Sequence, residues 1–104
     1  MASVDLAPEA LETVRAVLAR HLAHREVCVM GSRVFGPAKP FSDLDLVVMG
    51  EEPLPLATLA DLRDDFDDAD LPCSVDIIEW ASVSDSFRRI IAAQAQPFQL
   101  AQVP

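Results

Sequence analysis

Basic residues are scarce in this chain. Eight Lys plus Arg stand against seventeen Asp plus Glu in 104 residues, a formal net charge of −9. That balance excludes a broad electropositive surface for following a nucleic-acid backbone, and with it direct binding of duplex nucleic acid. It also disfavours anionic lipid. Long apolar runs are missing too. Stretches such as Leu46–Met49 fall far short of a bilayer-spanning helix. Residues 1–10 carry Asp5 and Glu9, with neither a basic start nor an apolar signal core, so a cytoplasmic location is expected. Cysteine is limited to Cys28 and Cys73, which lack histidines at zinc-ligand spacing; two reduced, buried thiols are expected rather than a disulfide. What remains is apolar enough to fold: 51% of residues are hydrophobic, ample for one domain and too few in number for two.

The periodicity predicts three helices and three strands. Leu11, Val14, Leu18 and Leu22 recur on one helical face between Pro8 and His24. Val27–Met30 is a short β-prone run that stops at Gly31, and Leu44–Met49 reads as a buried strand closed by Gly50. Leu56, Leu59, Leu62 and Phe66 mark a second helix whose other face is rich in Asp. Ser74–Trp80 reads as a third strand. A last helix follows, capped by Ser82 or Ser84, with Phe87, Ile90 and Ile91 turned inward. The order indicates an α/β sandwich, a small sheet covered by helices. The apolar tail QPFQLAQVP is expected to dock on the core or on another chain.

The chemistry is concentrated in Gly31-Ser32 and, after ten intervening residues, Asp43-Leu44-Asp45. Residues two apart on a strand share a face, so Asp43 and Asp45 project together while Leu44 and Leu46 enter the core. Adjacent carboxylates repel, and a divalent cation relieves the conflict; an all-oxygen donor set favours Mg²⁺ or Mn²⁺. Asp76 interrupts an apolar third strand and offers a third carboxylate. Such a cluster can hold two metals that activate a hydroxyl and stabilise departing pyrophosphate. Gly31 allows backbone N–H groups to approach a phosphate, Ser32 adds a hydroxyl donor, and Arg33 a local cation. Gly36 permits a return turn, and Lys39 adds charge near a polyphosphate. Gly31 and Gly36 have P-loop spacing, but Pro37-Ala38 stands where Lys-Ser/Thr is needed, which excludes a Walker-type ATPase.

The competing readings are plain. Asp43 and Asp45 could simply cap backbone groups, Asp76 could mark a strand end, and Ser32 could be an ordinary helix cap. Glu79 faces away from Asp76 and is expected to be solvated. The run DDFDDAD lacks an EF-hand's central glycine and terminal Glu, so it reads as a solvated helix face. His21 and His24 lie away from the motif, and Trp80 serves packing or a partner contact.

GSRVFGPAKPFSDLDLVV together with VDIIEW, EEPLPLATLADLRDDFDDADLP and IEWASVSDSFRRII resembles the minimal nucleotidyltransferases of the polymerase-β superfamily. Within it, the chain is similar to the subgroup paired with a helical HEPN-type protein in HEPN/MNT toxin–antitoxin systems. The similarity spans roughly residues 8–95 of a single 1–104 domain, leaving a short tail. The resemblance implies the minimal polymerase-β-type fold, a small mixed sheet covered by helices. It further implies that Asp43 and Asp45 hold two Mg²⁺ or Mn²⁺ ions and that Asp76 holds one and aids deprotonation of an acceptor hydroxyl. Gly31 and Ser32, with Arg33 nearby, would bind the phosphates of an NTP, ATP foremost. The implied reaction moves NMP to a hydroxyl and releases pyrophosphate, with or on a HEPN-type partner, as an antitoxin. A single domain leaves no second one expected for base or acceptor, so a partner or self-assembly (homodimer or heterotetramer) is expected to supply those surfaces. Two alternatives stand beside this: a non-catalytic module that neutralises its partner by covering it, and a small-molecule transferase completed by a partner subunit.

Overall fold

The computed structural model describes residues 4–31 and 43–102. Helix α1 (Pro8–Leu22) starts with proline in its first turn, where the missing N–H removes no bond, and carries Glu9 at the positive end of its dipole. Its buried stripe is Ala10, Val14, Val17, Leu18 and Leu22. The chain returns as β1 (Val27–Met30), and β2 (Leu44–Val48) pairs antiparallel to it. Helix α2 (Leu56–Asp68) buries Leu59, Leu62 and Phe66. Strand β3 (Val75–Glu79) then lies parallel to β2, and Trp80–Ser82 forms a 3₁₀ turn. Helix α3 (Asp85–Gln94) is capped by Ser84, whose Oγ accepts from the Phe87 N–H at 3.2 Å.

One element was not anticipated. The apolar tail forms β4 (Gln96–Gln99), antiparallel to β1, and seats Phe98 in the core at 2% exposure. The sheet is therefore mixed, in the order β3-β2-β1-β4. A strand with two polar glutamines and a proline carries little strand signal; its edge position accommodates Pro97. The sheet's first face is sealed by α1 and α2 over Val27, Val29, Leu44, Leu46 and Val48. Its second face holds Cys28, Met30 and Val47 under Ile91 of α3, with Phe87, Ile78 and Trp80 alongside. Ile90, expected inside, is 47% exposed, because Ile91 and Phe87 already fill the narrow strip that α3 covers. Both cysteines are free thiols, Cys28 buried and Cys73 half-buried. Among the described residues no helix is long and apolar enough to cross a membrane.

Candidate active site

The second sheet face is only partly covered. Side chains of Met30, Asp45, Val47, Asp76 and Ile78 share it by strand alternation, and α3 reaches the Val47 end. Asp45 and Asp76 lie at the other end, directly opposed across the β2–β3 pair. Asp43 immediately precedes β2 on the same parity and is exposed, while Leu44 and Leu46 are fully buried below. The expected alternation of carboxylates outward and leucines inward is thus present.

Gly31 closes the row from the β1 side. Its φ of +93° lies in the left-handed region, and a Cβ built there would fall 2.6 Å from Asp45 Oδ2. No other residue type fits that position without moving the carboxylate. The glycine thus leaves its backbone close against Asp45, a relation that strand-end position alone did not disclose. Ser32, Arg33, Gly36 and Lys39 lie outside the described residues.

Asp45 is electrostatically loaded. Partial burial pushes its carboxyl pKa above the ordinary value, and the charges of Asp76 and then Asp43 push it further the same way. Among the described residues no group of three His, Cys, Asp or Glu side chains is drawn together as a finished metal cage. The three aspartates are instead an opposed pair with a neighbour within electrostatic reach. Their donors are all hard oxygens, and Asp76 and Asp43 both raise the free energy of keeping Asp45 ionised. That chemistry fits a divalent cation, which would relieve the repulsion.

Beyond Asp76 the site opens into a cleft of about 320 Å³ lined by Arg63 and Asp67 of α2 and by Val75, Asp76, Ile77 and Ile78. Arg63 and Asp67 were not singled out from sequence. They sit one helical turn apart within the Asp-rich run, and only the packing of α2 beside β3 gives them a place. Glu79 does face away from Asp76, but it is not simply solvated: its Oε1 accepts the Leu54 N–H at 2.7 Å, fixing the turn before α2. Trp80 packs beside the Val47 cluster, donates from Nε1 to Glu51, and lies under the Arg88 guanidinium. His21 and His24 take structural contacts, with Asp65 and with the Gln102 carbonyl.

The profile of the polymerase beta nucleotidyltransferase family matches residues 12–98 of this chain. The chain belongs to that family. It is a nucleotidyltransferase with the small mixed-sheet fold. A relative from Haemophilus influenzae, described as a probable protein adenylyltransferase MntA, is 41% identical over 90 residues, covering 86% of this chain and 79% of its own length. Solved structures share the fold at low identity. A toxin–antitoxin with AMP-PNP superposes with a TM-score of 0.68 at 18% identity, over 86% of this chain and 73% of its own. A Shewanella oneidensis protein does so with 0.63 at 15%, over 90% and 74%.

Proposed function

We propose that this chain, acting as a single 1–104 domain in the cytoplasm, transfers AMP from ATP to a protein hydroxyl and releases pyrophosphate. The opposed Asp45–Asp76 pair beside Gly31 carries this reading, and the similarity to a probable protein adenylyltransferase supports the choice of nucleotide and acceptor. Asp43, Asp45 and Asp76 would hold Mg²⁺ or Mn²⁺, two ions in all. A divalent cation bound there supplies charge neutralisation at the reacting phosphate and lowers the pKa of the attacking hydroxyl.

The chain's own groups supply the remainder. Gly31 offers backbone close to the polyphosphate, and Ser32 and Arg33 would add a hydroxyl donor and a cation. The acceptor oxygen attacks the α-phosphorus, its proton passes toward the Asp76 carboxylate, and the bond to the bridging oxygen of pyrophosphate breaks. Positioning and charge complementarity carry the rate. The acceptor we favour is a HEPN-type helical partner, with this chain as its antitoxin. Two solved fold neighbours, described as toxin–antitoxin assemblies, support the pairing.

The test incubates the protein with Mg²⁺, each NTP in turn and the helical partner, and records intact masses of both chains. An adenylate increment on the partner, absent with Asp43→Asn, is the expected result. A stable complex with no increment from any NTP would overturn protein modification in favour of neutralisation by binding.

A further inference from the structure

We infer that the acceptor is presented as an extended, basic segment that pairs with the open edge of β3 and sets its hydroxyl beside Asp76. The inference rests on the transferase reading above and adds how its substrate docks.

Strand β3 ends the sheet. The Leu44 N–H donates to the Ser74 carbonyl at 2.9 Å, which fixes the parity of the parallel ladder. Ser74, Asp76 and Ile78 turn their backbone groups toward β2, so those of Val75 and Ile77 turn outward. Among the described residues neither Val75 nor Ile77 has a backbone partner on that side. No proline or lysine blocks the strand, the usual protection of an exposed edge. The cleft of about 320 Å³ runs along this edge, walled by Arg63 and Asp67.

The row across the sheet gives the edge its meaning. Gly31 abuts Asp45, Asp45 opposes Asp76, and beyond Asp76, among the described residues, lies the open edge. In-line displacement needs the attacking hydroxyl on the side opposite the leaving pyrophosphate. With phosphates at Gly31, that side is the β3 edge. A strand added there lies about 4.8 Å from β3 and places one side chain directly beside Asp76 on the same face. Charge selects the occupant. Asp67 and Asp76 line the cleft against one arginine, and Asp64 and Asp68 on α2 and Asp70 just after it are exposed, with no ion pair among the described residues. A segment bearing Lys or Arg complements that surface; an acidic one is repelled.

The probes are short peptides alternating lysine and valine around one central serine, threonine or tyrosine, with N-methylated versions as controls. Amide hydrogen exchange of the whole protein is read with and without peptide, and peptide mass is read after addition of ATP and Mg²⁺. At saturating peptide, exchange at Val75 and Ile77 slows about tenfold or more, and the N-methylated peptides have no effect. Asp67→Lys weakens binding about threefold. Unchanged exchange at both amides, or equal slowing by the N-methylated peptides, would overturn the docking mode. Adenylate on a peptide that leaves both amides exchanging freely would overturn it too, while sustaining the transferase. Protected amides with no nucleotide on any hydroxyl would sustain the docking and overturn transfer to protein.

Discussion

Two half-buried aspartates in this molecule live in opposite surroundings. Asp65 on α2 meets Arg20 and His21 of α1, and the His21 hydrogen bond, ahead of Arg20, holds its carboxyl below the ordinary value. Asp45 on β2 meets Asp76 and Asp43, and its carboxyl is pushed up. A carboxylate whose partners lie within the chain ties two helices together. One surrounded by its own charge is a conflict that the fold maintains, and such conflicts are maintained where a ligand resolves them. At the negative end of α2, where acidic charge opposes the helix dipole, Asp65 alone is answered by α1.

Substitution separates the two most sharply. Asp45→Asn is expected to lower transfer at least about 100-fold, as loss of a preorganised electrostatic group does. The same change removes a repelling charge, so the metal-free protein should melt higher than the parent. Asp65→Asn should do the reverse, melting lower with transfer per folded molecule unchanged. Calorimetry alongside a transfer assay reads both. A destabilised Asp45→Asn would mean that this carboxylate is held by favourable contacts and would erase the distinction.

Gly31→Ala comes next. The left-handed backbone costs an ordinary residue about 1–2 kcal/mol, and the new methyl also displaces Asp45. Misplacement of a catalytic group by ~1 Å can cost about 100-fold, so activity should fall much further than stability. Equal modest losses in both would show that the Gly31–Asp45 approach serves only the fold.

The smallest effect is the response to acid. In metal-free protein, lowering pH from neutrality lets folded Asp45 take up a proton before the unfolded chain does, so this group adds stability as pH falls toward its ordinary value of 3.8. Asp65 behaves oppositely, holding its contribution above 3.8 and losing it below. Saturating Mg²⁺ should abolish the first effect, because cation and proton compete for one carboxylate, and leave the second. Melting temperature against pH, with and without Mg²⁺, checks the sign of each.

Most of this arrangement was legible in the sequence because strand parity is rigid. Asp43 and Asp45 on one side, Leu44 and Leu46 on the other, follow from a period of two, and an aspartate inside VDIIEW needed only a neighbouring strand to find Asp45. Readings failed where tertiary contact outweighs local pattern. Gln96–Gln99 is a strand because β1 offers an edge and the core offers a seat for Phe98. Ile90 lies outside because α3 buries a narrow strip. Glu79 is drawn in by the Leu54 N–H, and Arg63 and Asp67 acquire a cleft only when α2 settles beside β3. Periodicity specifies which face a residue takes; it does not specify which helix arrives there.

The most direct test uses Mn²⁺ as a paramagnetic probe of the two acidic regions in one experiment. Titrated into isotopically labelled protein, Mn²⁺ should broaden the amide resonances of Gly31, Asp45 and Asp76 first, before those of Asp64, Asp65 and Asp68 on α2, and Asp45→Asn should remove that order. Broadening that begins on the acidic face of α2, or that is indifferent to Asp45→Asn, would contradict the account.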